Sequence, residues 1–144
     1  PWGLVIALVL GWQAGLIGAA SFLIGGLWLS PDLDTRSLAL RRWGALQWLW
    51  WPYRTLLPHR SFWSHGPMIG TLLRLLLLLG WGTLVMALLP GRSIAELPQV
   101  LLQAVRRHPV PALAVVVSLE ASVWLHLLLD GDPWPSEWRG QHRR

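Results

Sequence analysis

The stretch that decides the fold class lies at the start of the chain and reads WGLVIALVLGWQAGLIGAASFLIGGLWLSPDLD over residues 2–34. Residues 2–29 carry no charged side chain, and this run exceeds the ~20 residues that a helix needs to cross a bilayer. A secretory signal peptide fits less well, because the run is long and no basic segment precedes it. The stretch therefore predicts a transmembrane helix that ends at Ser30-Pro31-Asp32-Leu33-Asp34.

The same stretch contains a stripe of small residues, Gly11, Gly15, Gly18 and Gly25. Steps of three, four and seven residues place them on one helical face. Small residues on one face allow a second helix to approach closely.

Composition extends this interpretation to the whole chain. The 144 residues are 53% hydrophobic and 13% charged, with a mean hydropathy of +0.44, whereas soluble domains are about 25% charged. Two further apolar runs, 67–89 and 110–129, are long enough to span a bilayer. We expect an all-α polytopic membrane helical bundle with about three transmembrane helices in one domain, residues 1–132, followed by a polar tail, 133–144.

Between the first two spans, residues 36–51 mix arginines with leucines and tryptophans. This pattern predicts an amphipathic helix lying in the membrane interface. The chain has twelve tryptophans, a residue that favours the headgroup region.

Charge distribution predicts the orientation. The 30–66 loop contains five arginines and the tail three, all on one side of a three-span bundle, and the 90–109 loop contains three. The positive-inside rule places the 30–66 loop and the tail in the cytoplasm. The net charge of +5 comes without any nucleic-acid-binding motif, so the lipid bilayer is the expected partner.

Candidate metal ligands lie where the predicted spans end on that side: Asp32, Asp34, His59, His65, His126 and Asp130. The chain has no cysteine, so nitrogen and oxygen atoms would hold a divalent metal, with Zn, Mn or Fe favoured over Mg by the histidines. Each residue alone also fits a structural role, as a helix cap, a loop residue or a bundle histidine. Metal binding becomes the better interpretation only for the six together.

Arg74 and Glu120 lie deeper in their spans, about 12–15 Å from the same membrane surface at 1.5 Å per residue. An ionised side chain at that depth is costly unless it is paired. We expect a buried ion pair between them. The alternative is that Arg74 extends to the surface and Glu120 is protonated.

Three segments carry a resemblance to a known family: residues 29–34, residues 42–53, and residues 59–74 with the sequence His59-Arg60-Ser61-Phe62-Trp63-Ser64-His65-Gly66-Pro67. With Glu120, His126 and Asp130, they resemble a cyanobacterial-type family of unknown function, whose members are labelled metal-binding integral membrane proteins. That family is distantly similar to bacterial inner-membrane proteins labelled metal-dependent hydrolases. Its members usually open with a Thr-His-Asp segment before the first span, which this chain, starting at Pro1, does not show. Either the chain is truncated at its N-terminus, or one pair of ligands is missing.

Two functions remain open from the sequence. The resemblance implies a metal centre at the face of a cytoplasmic or thylakoid-type membrane, acting in the hydrolysis of a lipid-borne ester or phosphate, with Arg60 holding the anionic headgroup. The alternative is a non-catalytic accessory or assembly subunit of a larger membrane protein complex, which the small-residue stripe and the tryptophans would fit.

Overall fold

The computed structural model describes residues 1–131, and every regular element in that range is helical. The α-helices are α1 (Trp2–Leu10), α2 (Trp12–Leu27), α3 (Leu38–Arg41), α4 (Trp51–Leu56), α5 (Phe62–His65), α6 (Ile69–Ala87), α7 (Glu96–Arg107) and α8 (Pro109–Leu129). Two 3-10 turns, Pro31–Asp34 and Gly44–Trp50, lie between them. The predicted polar tail, 133–144, falls outside the described residues.

Within residues 1–131, three segments are long and apolar enough to cross a membrane: Trp12–Asp34, Ile69–Ala87 and Pro109–Leu129. The predicted fold class, an all-α bundle with three candidate spans, is confirmed. Helix α2 packs along both α8 and α1, and Trp2 of α1 also donates to Ser118 of α8 at 2.9 Å. The segments are continuous apolar runs, which is why hydropathy alone could locate them.

The predicted uninterrupted span over residues 2–29 is wrong, because the helix breaks at Gly11. Gly11 adopts φ +90°, a conformation that glycine reaches without steric cost. Helix α1 then lies antiparallel to α2, with Gly3 beside Ala19 and Ala7 beside Gly15. Its nine residues reach only about 14 Å at 1.5 Å per residue, so α1 is a half-length helix that packs on the first span.

The small-residue stripe is used inside the bundle. Gly15 meets Ala7 of α1, Gly18 meets Ser118 of α8, and Gly25 meets Ser122 of α8. The close approach predicted from the spacing is therefore made with helices of the same chain.

The predicted interfacial helix over residues 36–51 is also wrong as a single element. Gly44, with φ +53°, separates α3 from a 3-10 turn that leads directly into α4. The side chain of Trp50 is fully buried, and the indole N–H of Trp81 donates to the Leu49 carbonyl at 2.9 Å. These contacts fold the connector against the side of α6, because burying Trp50 there removes a large apolar surface from solvent.

The segment predicted as a plain loop, 90–109, contains the amphipathic helix α7. Leu97, Val100, Leu101 and Val105 lie on one face of α7 at helical spacing. Leu97 contacts α6 at Gly82, and no residue of α7 is buried. The i, i+3, i+4 and i+8 spacing of these side chains would have identified the helix.

We expect Gly15→Ala to lower the free energy of unfolding by about 1–3 kcal/mol, the usual cost of overpacking. A β-carbon at position 15 would lie 2.5 Å from the Ala7 Cβ and 2.8 Å from the Gly3 carbonyl oxygen. Gly80→Ala is the matched control, since no atom lies within 4 Å of its added β-carbon. That control should be neutral or stabilising by about 0.5–1 kcal/mol. Denaturant unfolding in detergent, followed by circular dichroism, measures both, and equal effects would contradict the packing.

Candidate metal centre

The first part of the centre is the 3-10 turn Pro31–Asp34, which follows α2. Ser30 caps this turn by accepting from the Asp32 N–H at 3.4 Å, and Leu33 is completely buried beneath it. A buried Leu33 between two aspartates fixes where both carboxylates lie. The Asp34 side chain is fully buried, while that of Asp32 is 37% exposed.

The second part is α5, a single turn of helix that carries His65. Ser61 caps α5 by accepting from the Ser64 N–H at 3.3 Å. The residue before it, Arg60, has φ +55°, which is uncommon for a side chain of this size. Its backbone N–H donates to Asp34 Oδ2 at 3.3 Å, and this hydrogen bond ties α5 to the aspartate turn.

The third part is the last turn of α8. His126 and Asp130 are four residues apart and so share one helical face. His126 Nε2 lies 3.5 Å from Asp130 Oδ2, and Arg60 Nη2 lies 3.5 Å from the same oxygen.

The three parts meet at Asp32 Oδ1. Both His65 Nε2 and His126 Nε2 lie 3.5 Å from this oxygen. Both nitrogens are buried, and neither has a hydrogen-bond partner among residues 1–131. Unpaired buried polar atoms are unfavourable, and here two of them point at one carboxylate oxygen.

This donor set fits a divalent metal ion. Asp32, His65 and His126 each offer one ligand atom, and these atoms lie within 4.8 Å of one another. Four donors at 2.0–2.1 Å from a tetrahedral zinc ion lie roughly 3.4 Å apart, close to the 3.5 Å separations observed. Asp130 Oδ2 lies 3.5 Å from His126 Nε2, but Asp130 is outside this three-residue group.

A second group that could hold an ion consists of Asp34, His59 and His65. Asp34 Oδ1 lies 3.1 Å from His59 Nδ1, and Asp34 Oδ2 lies 3.4 Å from His65 Nδ1. A neutral imidazole carries one N–H, so His65 cannot serve as a ligand through both nitrogens without losing that proton. His65 Nδ1 lies 2.9 Å from Ser64 Oγ as well as 3.4 Å from Asp34 Oδ2. The arrangement fits better as polar groups behind the ligand His65 that orient its ring.

Residues 2–141 match the family described as "Uncharacterized metal-binding protein (DUF2227)". The chain belongs to this family. A protein of Aquifex aeolicus (strain VF5), described as "Uncharacterized protein", is 42% identical over 55 residues, which is 38% of this chain and 38% of that protein. The chain therefore aligns with well under half of that relative's length. No solved structure matches.

Membership of this metal-binding family agrees with a chain that holds Asp/His clusters able to bind an ion. The structure places all six predicted ligands at one end of the bundle, three of them around Asp32 Oδ1 and three adjoining. Their individual assignment as ligands stays a prediction.

The predicted Arg74–Glu120 ion pair is not formed directly. Thr71 lies between the two, accepting from Arg74 Nη2 at 3.2 Å and donating to Glu120 Oε2 at 2.9 Å. The other oxygen of Glu120 accepts from the Met68 N–H at 2.7 Å. Glu120 on α8 thus accepts a hydrogen bond from a backbone N–H at the start of α6. The first N–H groups of a helix have no partner within the helix and need such an acceptor.

Arg74 instead supports the segment that carries His65. Its Nη1 donates to the Ser64 carbonyl at 2.9 Å and to the Tyr53 hydroxyl at 3.3 Å. Tyr53 in turn donates to the same carbonyl at 3.1 Å. Burial raises the pKa of the Tyr53 phenol above its ordinary value, so the hydroxyl keeps its proton.

Sequence reasoning missed Tyr53, Thr71 and the orienting role of Asp34. Tyr53 is the single tyrosine of the chain, and Thr71 is a polar residue one helical turn before Arg74. For Thr71 the available signal was a polar residue three positions from a charge within an apolar span.

Metal content should depend on two histidines and not on a third. We expect His65→Ala and His126→Ala to lose bound metal, because each removes a ligand atom, and His108→Ala, at the start of α8, to retain it. Asp34→Asn should keep the metal with about 10–100-fold lower affinity, the usual effect of changing a residue behind a ligand. Elemental analysis and a competitive zinc titration of the purified proteins measure this. Metal retained by both alanine variants would exclude the centre.

Glu120→Ala should lower the free energy of unfolding by about 3 kcal/mol, since hydrogen bonds to charged groups contribute about 1.5–3 kcal/mol each. Glu96→Ala is the matched control. Its partly exposed carboxylate caps the start of α7 through the Ser93 N–H at 2.9 Å and pairs with Arg92 at 3.1 Å, both within one surface turn, and its loss should cost roughly 1 kcal/mol. Unfolding in detergent distinguishes the two, and an equal loss in both variants would rule out the interhelical role of Glu120.

Proposed function

We propose that this protein is a membrane-embedded, metal-dependent hydrolase that acts on a lipid-borne ester or phosphate. The observation that carries the proposal is the pair of buried Nε2 atoms of His65 and His126, which make no hydrogen bond within residues 1–131 and both lie 3.5 Å from Asp32 Oδ1. This donor set lies at the end of a bundle with three candidate membrane spans.

The centre is closed on one side and open on the other. His65 is 2% exposed, whereas the side chains of Asp32 and Asp130 are 37% and 34% exposed. An open position is typical of catalytic rather than structural metal sites. A bound divalent ion supplies a water of lowered pKa and polarises the scissile group.

Two residues on the open side fit roles toward the substrate. Asp130 is partly exposed and within reach of the donor set, so it can accept a proton from an attacking water as a general base. Arg60, whose guanidinium lies 3.5 Å from Asp130, can hold an anionic phosphate or carboxylate with paired N–H groups.

The surroundings favour a lipid substrate. Trp28, Phe62 and Trp63 are 40%, 45% and 53% exposed near the centre, as expected of aromatic residues at headgroup level. Arginines of the 30–66 segment outnumber those of the 90–109 segment, which supports a cytoplasmic position for the centre.

The small-residue stripe no longer favours the alternative of an accessory subunit. The small-residue stripe that could have docked a partner is filled by α1 and α8. The proposal of a protein partner is therefore supported by the tryptophans alone. The hydrolase is the function that the site supports better.

Hydrolysis is tested with the full chain reconstituted in lipid vesicles, loaded with zinc or manganese, and given phosphomonoester and carboxylic ester lipids. We expect turnover by wild type and by His108→Ala, and loss of at least 100-fold in kcat/KM for His65→Ala and His126→Ala. Asp130→Asn should lower kcat more than KM rises, since a general base acts in the chemical step. Bound metal without turnover of either lipid class would favour a structural centre and overturn the proposal.

A further inference from the structure

A second polar feature lies on the connector between the first two spans, apart from the metal centre. A groove of about 620 Å³ runs between α3 and α4. Its lining includes three arginines, Arg36, Arg41 and Arg54, together with Gln47, Trp48 and Trp51. No acidic residue of the described chain lines it, so its charge is wholly positive.

The three guanidinium groups have no partner within residues 1–131. No hydrogen bond or ion pair joins them to another residue there, and Arg54 Nε is buried without a hydrogen bond. Three other arginines have partners: Arg42 contacts the Leu27 carbonyl, Arg60 contacts Asp130, and Arg92 contacts Glu96. Like charges gathered without a countercharge repel one another, and an anion in the groove relieves that repulsion.

We propose that this groove binds a phosphate group, with the headgroup of an anionic membrane lipid as its main source. Guanidinium groups bind phosphate oxygens through paired N–H donors and remain charged at all physiological pH values. The amide of Gln47 adds a further donor. Trp48 and Trp51 are 54% and 65% exposed at the rim of the groove, a position that suits the headgroup region of a bilayer.

The groove lies on the same connector as the aspartate turn and next to it in sequence. Arg36 follows Asp34 by two residues, and α4 contacts the turn Pro31–Asp34. An anion held between α3 and α4 therefore braces the segment that positions Asp32 and Asp34. The inference goes beyond the proposed hydrolase, because binding here needs neither a metal ion nor turnover.

The test uses the full chain in detergent micelles, with a chelator present so that the metal centre does not contribute. Three probes are titrated: dioctanoyl phosphatidic acid, dioctanoylglycerol and inorganic phosphate. Affinity is read by thermophoresis and by the shift in Tm. The variant is Arg36→Gln/Arg41→Gln/Arg54→Gln. The control is Arg92→Gln/Arg106→Gln/Arg107→Gln, which removes the same charge from the other side.

We expect wild type to bind dioctanoyl phosphatidic acid and to ignore dioctanoylglycerol. Each arginine replaced singly should lower that affinity about fivefold, the triple variant should lower it at least 50-fold, and the control should stay within twofold of wild type. The triple variant should keep its helix content without ligand, since its arginines have no protein partner in the described chain. Binding of the lipid alone identifies a headgroup site, and binding of inorganic phosphate with the same dependence on the arginines identifies a site for the free anion. Equal binding by the triple variant and wild type, or binding of neither phosphate probe, would overturn the proposal.

Discussion

The structure depends on two carboxylates that hold the ends of the segment carrying His65. Asp34 accepts from the backbone N–H of Arg60, and Glu120 accepts from that of Met68. Both donors are non-glycine residues at positive φ, 55° and 61°, a conformation that costs roughly 1–3 kcal/mol each. The chain adopts this positive-φ conformation on both sides of α5 because each backbone N–H then donates a hydrogen bond to a carboxylate. These two hydrogen bonds anchor both ends of the segment that carries His65, and the bonds of Arg74 and Tyr53 to the Ser64 carbonyl hold its middle.

Arg74, Thr71 and Glu120 form one connected network rather than a separate ion pair. Arg74 is 1% exposed and reaches Ser64, the neighbour of His65, while Thr71 links it to Glu120. Inside a bilayer, no water is available to hydrogen-bond a polar group. The candidate spans can therefore contain these residues only if the residues hydrogen-bond to one another. The network also links α6, α8 and α5, which couples the core of the bundle to the candidate metal centre.

How much could be predicted from sequence follows from what hydropathy measures. The spans at Ile69–Ala87 and Pro109–Leu129 were predictable because length and apolar content alone define them. The break at Gly11 was not, since a glycine at φ +90° leaves the hydropathy of the run unchanged. Topology could place the six candidate ligands at one end of the bundle. It could not show that one ring nitrogen of His65 faces Asp32 and the other faces Asp34, because that depends on the orientation of the ring. The prediction of a direct ion pair between Arg74 and Glu120 was wrong, because the depth of a residue along a helix does not reveal that Thr71 lies between them.

The donors of the candidate centre come from three elements that meet only in the folded bundle: the turn after α2, the turn before α6 and the end of α8. An unfolded chain would present them far apart, so an ion that binds Asp32, His65 and His126 binds the native state selectively. Such a ligand stabilises the protein by about 4 kcal/mol when its concentration is a thousand times Kd. Without an ion, the Nε2 atoms of His65 and His126 lie 3.5 Å from one oxygen of Asp32, so protons on these imidazoles compete with a metal ion for the same site. Metal affinity and the stability of the membrane bundle are thus one linked quantity in this fold.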